Sequence, residues 1–256
     1  MRLTVIGSGT AAPHPDRVCA GHWVEAGAAR LLLDCGNGVL HRMATLGIPW
    51  PTVTHVAITH FHYDHIGDLP ALITALQWGQ LPPRTEPLTI FGPTGTRAWL
   101  ERFAAVIGDW LLKPGDYAVE VLEPAPDGQF PVPHYDFAVR CRKVPHTPES
   151  IAYSISSGRA RLVYTGDTAY DDAVADWAAG CDVLLTECSL PAALAIPEHL
   201  TPETAGALAA RARPGTLVLA HFYPPVERED IPALVHARWT GPLVLAHDGT
   251  VIDLEE

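Results

Sequence analysis

The stretch His60-Phe61-His62-Tyr63-Asp64-His65 decides how the rest of the chain is read. Its imidazoles and its carboxylate are good ligands for zinc or a similar borderline metal. The residues before it, Val53-Thr54-His55-Val56-Ala57-Ile58, are β-branched and apolar and read as a buried strand. Those after it, Asp68 to Trp78, place Leu69, Leu72, Ile73 and Leu76 at helical spacing, with Asp68 as N-cap and Pro70 in the first turn. The ligands therefore stand at the carboxyl end of a strand, where α/β sheets build their sites. A helix would present two ligands four residues apart. Here His60 and His62 are two apart on extended chain, point the same way and can hold one metal. Asp64 and His65 follow the turn and are better placed for a second metal nearby.

Working outward, the 256 residues suit one large domain or two tightly packed halves. The net charge is −12 and no Lys/Arg run occurs, so the global field repels a polyanion and gives no basic stripe for nucleic acid. Cysteines stand at 19, 35, 141, 181 and 188, an odd number without Cys-x-x-Cys, which argues against a disulfide framework and for a reducing, cytoplasmic setting. Met1 to Gly7 reads as a strand entering a turn and not as a signal peptide, and no apolar run reaches membrane-spanning length.

Strands are predicted at 2–6, 22–26, 30–34, 88–91, 117–123, 137–144, 151–156, 161–165, 182–186, 216–220, 243–245 and 250–252. Helices are predicted at 39–46, 96–107, 171–179, 202–212 and 229–238, with a proline-rich loop at 124–134. Residues 117–123 are grouped with the following three strands in an antiparallel-rich second sheet. The expectation is one α/β (α+β) domain over 1–256, two sheets packed face to face with helices outside, its halves meeting near 115–120. The loop Gly7-Ser8-Gly9-Thr10-Ala11-Ala12-Pro13, with Arg17 beyond it, reads either as a plain turn or as backbone amides approaching an anion. Asp34 reads as a helix cap or as the orienter of a metal-bound imidazole. The apolar segment 108–114 is either core or the wall of a pocket.

Further strand ends carry His146, Asp167, Glu187 and His221, each directly after an apolar run. The set His60-x-His62-x-Asp64-His65, His146, Asp167 and His221 resembles the metallo-β-lactamase fold hydrolases, and within them the ribonuclease Z-like branch, across nearly the whole chain. The resemblance implies a four-layer αββα sandwich with two Zn2+, Mn2+ or iron being alternatives. One metal would take His60, His62 and His146, the other Asp64, His65 and His221, with Asp167 bridging. Glu187 and His199 match that branch's carboxylate–histidine pair, whose histidine protonates the leaving oxygen. The long arm that ribonuclease Z uses for tRNA is absent, since only 20 residues separate His146 from Asp167.

The implied function is a dinuclear zinc hydrolase, a phosphodiesterase with a small anionic or aromatic substrate in place of tRNA. Bound cations lower the pKa of a water to about 7 and outweigh Asp64 and Asp167, which favours an anionic ester. Trp78, Trp110, Leu112 and Tyr223 are the expected gate residues. The alternatives are a lactone, carboxyl-ester or aryl-sulfate hydrolase, and an iron or structural-metal protein on the same fold. Members are often dimers, which admits a homodimer here. His14, His22, His41, His55, His134, His236 and His247 are expected to be structural.

Overall fold

The computed structural model describes residues 1–123, 127–130 and 132–255, so part of the proline-rich loop at 124–134 lies outside the described residues. The chain opens with β1 (Arg2–Gly7), β2 (Gly21–Ala26) and β3 (Ala29–Leu33), then α1 (Val39–Thr45), β4 (His55–Ala57), α2 (Tyr63–Ile66), α3 (Leu69–Trp78), β5 (Leu88–Phe91), α4 (Thr96–Ile107) and β6 (Val119–Leu122). Four strands follow without an intervening α-helix: β7 (Gln129–Phe130), β8 (Ala138–Lys143), β9 (Ile151–Ser157) and β10 (Ala160–Tyr164). The chain then alternates through α5 (Asp172–Ala178), β11 (Val183–Glu187), α6 (Pro202–Ala212), β12 (Thr216–Ala220) and α7 (Ile231–His236), and ends with β13 (Leu243–Leu245) and β14 (Val251–Asp253).

These strands form two seven-stranded sheets, ordered β14-β1-β2-β3-β4-β5-β6 and β13-β12-β11-β10-β9-β8-β7. Period-two alternation decides what each strand buries. Leu31 and Leu33 of β3, Leu162 and Tyr164 of β10, and Val183 and Leu185 of β11 fill the core between the sheets. The residues between them face outward: Leu32 joins Met43, Leu72, Ile73 and Leu100 under the helices of the first sheet. Val163 and Leu184 pack with Val174, Leu208 and Val235 under α5, α6 and α7. Each such fully buried aliphatic side chain contributes about 1.5–3 kcal/mol over its exposed state. Three cores stacked in this way make the four layers, helix, sheet, sheet, helix. Among the described residues no helix is long and apolar enough to cross a membrane.

Two expectations are corrected. Residues 117–123 do not begin the second sheet: β6 lies parallel to β5, Leu88 beside Val119 and Phe91 beside Leu122. The chain changes sheets after Leu122, and β14 later crosses back to pair with β1. Asp68 stands at the start of α3 but does not cap it with its side chain; its carboxylate instead accepts from the Leu40 amide of α1 at 3.0 Å. The predicted strand 53–58 is shorter, and α2 was hidden inside the ligand loop.

Parallel neighbours set the site. β10, β11 and β12 run side by side, with Tyr164 beside Leu185 and Glu187 beside Ala220. Their carboxyl ends therefore deliver Asp167, Glu187 and His221 to one edge of the sheet. In the first sheet β3 and β4 are parallel, Leu33 beside Ala57, which brings Asp34 next to the ligand loop.

Candidate metal centre

Three strand ends turn through the left-handed region as they reach the site: Asp34 (φ 54), Gly166 (φ 59) and His221 (φ 58). Glycine adopts this conformation freely, whereas a side chain there costs about 1–2 kcal/mol. At Asp34 and His221 that cost is offset by the contacts the turn allows. The fully buried Asp34 carboxylate accepts from the Thr59 amide (2.8 Å), the Thr59 hydroxyl (2.8 Å), the Tyr164 hydroxyl (2.7 Å) and His65 Nδ1 (2.8 Å). Asp34 thus orients His65 and caps no helix.

Hydrogen bonds at the outer nitrogens fix the tautomers of three histidines. A carboxylate only accepts, so His65 carries its proton on Nδ1. The His146 Nδ1 proton goes to the Glu198 carbonyl at 3.1 Å. The Ser189 hydroxyl donates to Glu187 and so accepts from His221 Nδ1 at 2.9 Å. In the neutral form each of the three rings then aims an Nε2 lone pair inward. His65 Nε2 and His221 Nε2 face each other across 3.2 Å. Asp64 Oδ2 lies 3.3 Å from His221 Nε2, and Asp167 Oδ1 lies 3.3 and 3.5 Å from His65 Nε2 and His221 Nε2. Beside this group, His146 Nε2 lies 3.2 Å from His62 Nδ1. Asp167 Oδ2 lies 3.8 Å from His146 Nε2 and 3.9 Å from His60 Nε2.

Lone pairs do not gather at such distances without a cation among them. Ligand atoms around a tetrahedral ion with bonds of ~2.0–2.1 Å are roughly 3.3–3.5 Å apart. Two fully buried atoms, His60 Nε2 and Asp167 Oδ1, have no hydrogen-bond partner among the described residues, which costs free energy unless something else satisfies them. The donor set therefore fits metal ions. It falls into a group of His60, His62, His146 and Asp167, a group of Asp64, His65 and His221, and a third that adds His199 to Asp167 and His221.

The electrostatics of the metal-free site divide: burial opposes charge on His65, but Asp167 and Asp34 prevail and raise it well above the usual histidine value, so a bound cation would have to take that proton's place. Burial, reinforced by the neighbouring imidazoles, pushes His60 well below the usual histidine value and keeps it neutral, as a ligand must be. Burial alone would raise the Asp167 carboxyl, but the imidazoles of His221 and His65 hold it well below the usual carboxylate range. His199 Nδ1 lies 2.9 Å from both Glu187 oxygens and 3.9 Å from Asp167 Oδ2. Burial opposes charge on His199, yet the Glu187 hydrogen bond and charge prevail and raise its pKa. Glu187 is itself held by the Thr168 amide at 2.7 Å.

Of the donors, His62, Asp64 and Asp167 line a cleft of about 600 Å³ that is also bordered by Ala11, Ala12, Pro13, Tyr63, His199 and Tyr223. Of the expected gate residues only Tyr223 lines it. Trp78 and Trp110 pack on each other elsewhere, ring centres 4.8 Å apart, and Leu112 packs on the outer core of the first sheet. In the 7–13 loop the amides of Ser8, Gly9 and Ala12 are already taken, the last by the Thr10 hydroxyl at 3.2 Å. Ser8 donates its amide to Asp248 at 2.9 Å, and Gly9 donates to the Val18 carbonyl at 2.9 Å. Arg17 is equally committed, to Glu227, Ser8, the Ala246 carbonyl and His247. His247 is thus a partner of Arg17 outside the cleft, while His14, expected to be structural, borders it. Ser189, Thr59, Tyr164 and Tyr63 were missed by sequence reasoning. Only Ser189 left a signal, its spacing of two from Glu187 on extended chain.

A family profile described as a beta-lactamase superfamily domain matches residues 29–222. The chain belongs to the beta-lactamase superfamily. Ribonuclease Z of Mycobacterium bovis (strain BCG / Pasteur 1173P2) is 31% identical to it over 275 aligned residues, covering 97% of this chain and 96% of that one. This superfamily member is accordingly ribonuclease Z-like, a metal-dependent hydrolase. The metallo-beta-lactamase fold protein YhfI of Bacillus subtilis superposes with a TM-score of 0.84 at 24% identity, over 98% of each chain. The short form of human tRNase Z superposes with a TM-score of 0.80 at 22% identity, over the full length of both chains. Those two likenesses show the metallo-β-lactamase fold. In this superfamily member the segment between His146 and Asp167 is a tight loop and the β9–β10 hairpin, which turns at a left-handed Gly158.

Proposed function

We propose that this protein is a dinuclear zinc phosphodiesterase acting on small diesters. One observation carries the reading: the two oxygens of Asp167 are divided between two adjacent groups of inward-facing donors, with the His199–Glu187 pair beside them. His60, His62 and His146 would hold one ion, Asp64, His65 and His221 the other, with Asp167 shared. Bound there, the ions would supply an acidified water and offset the charge of the diester. The chain's own residues do the rest. Asp34, Ser189 and the Glu198 carbonyl lock the imidazoles in the tautomers that ligation needs. Glu187 accepts from His199 Nδ1 and so favours the doubly protonated ring, whose other proton, on Nε2, passes to the departing oxygen.

The test is metal analysis with a substrate panel. Purified protein is expected to hold two zinc ions and to cleave bis(4-nitrophenyl) phosphate, and Asp64→Ala to retain only one ion. A single ion, iron as the native metal, or hydrolysis of lactones and carboxyl esters in place of diesters overturns the proposal. Precursor tRNA cleaved with a higher kcat/KM than every small diester overturns its substrate size.

A further inference from the structure

Tyr63 sits between His62 and Asp64, yet 63% of it remains in solvent. A large aromatic side chain left open beside a buried donor cluster makes no contribution to the core. It does border the cleft, and so does Tyr223. Tyr223 is half-buried, its ring nearly perpendicular (88°) to that of His221 with centres 6.0 Å apart. The two rings reach one cleft from different sheets, each within two residues of an inward-facing donor.

What the cleft lacks is equally informative. Arg17 is the only Lys or Arg among the described residues bordering it, and each nitrogen of its guanidinium already has a partner. Ala11, Ala12 and Pro13, which also border the cleft, are small and uncharged in their side chains. With no free Lys or Arg among these residues, the place that best suits an anionic group is over the donor cluster. The remainder of a bound molecule has Tyr63, Tyr223 and small apolar groups to meet, with Thr10, His14 and Asn37 also bordering the cleft, and the aromatic faces suit a flat ring.

We propose that Tyr63 and Tyr223 form a subsite for an aryl or nucleobase ring attached to a monoanionic phosphoryl group. The physiological meaning of the subsite rests on the small-diester reading above, but its existence can be measured without turnover. Phenylphosphinate and methylphosphinate are unreactive monoanions that differ by one ring. Titration calorimetry on zinc-loaded protein is expected to show about tenfold tighter binding of phenylphosphinate, the scale of one aromatic stacking contact. Tyr63→Ala and Tyr223→Ala should each remove most of that preference and leave methylphosphinate binding within about twofold, while Tyr63→Phe should retain it. Equal affinity for the two phosphinates, or an alanine variant that weakens both equally, overturns the subsite. A protein that discriminates the phosphinates as expected but cleaves no diester supports the subsite and sinks only the phosphodiesterase reading.

Discussion

Burial and a carboxylate pull the His199 imidazole in opposite directions, and the carboxylate prevails, so its pKa lies above the ordinary 6.5. A proton donor is loaded below its pKa and empty above it. Diester cleavage with a poor leaving group should therefore fall as pH rises through a value above 6.5. Glu187→Gln removes the group that holds the proton, so the same decline should begin at lower pH. His199→Ala should lower kcat for an alkyl leaving group by about 10²–10⁴, and for 4-nitrophenolate by much less. Identical pH–kcat profiles in wild type and Glu187→Gln would remove His199 from proton transfer. At this scale the donors were legible because each stands directly after an apolar strand. Ser189 and Tyr164 were not, because a hydroxyl in a sequence does not say whose carboxylate it will meet. Their partners, Glu187 and Asp34, differ in that respect: one is two residues away, the other 130.

Element boundaries followed from periodicity, and most strands and helices lie within a residue or two of their predicted places. Sheet membership did not follow. Residues 119–122 carry the same alternation whichever sheet they join, and only the pairing with β5 decides. The gate residues failed for a related reason: an apolar segment after a helix can pack on that helix as well as on a cleft, and Trp78 and Trp110 found each other first. One close approach holds the ligand loop to the end of β3. A Cβ on Gly36 would stand 1.8 Å from the Asp64 carbonyl oxygen and 2.8 Å from Cys19 Cβ, and backbone cannot yield as a side chain does. Gly36→Ala should therefore displace Asp64 and His65, bind one zinc fewer than wild type, and lose about 1–3 kcal/mol of stability. Unchanged stoichiometry by elemental analysis would show that the loop is set from elsewhere.

The whole molecule carries a further titration, in its core. His55 is buried, stacked 5.3 Å from Phe91, and burial pushes its pKa down to about 4. The unfolded chain takes up a proton there near 6.5 while the folded chain does not. Stability from this residue is complete above 6.5 and is lost as pH falls toward 4. Between pH 7 and 4.5 wild type should lose about 2 kcal/mol more than His55→Phe, read from urea melts at the two values. Parallel losses would place the acid sensitivity elsewhere. The cleft wall has its own whole-chain history. Ser8 and the Val18 amide are held by Asp248, the latter 230 positions further along, and Arg17 by Ala246 and His247. At a synthesis rate of ~5–20 residues per second, a growing chain waits roughly ten to fifty seconds between making the loop and making what holds it. Through that interval the Arg17 guanidinium has no Ala246 or His247 to grip. The wall at residues 8–18 is therefore fixed only once residues 246–248 have been made.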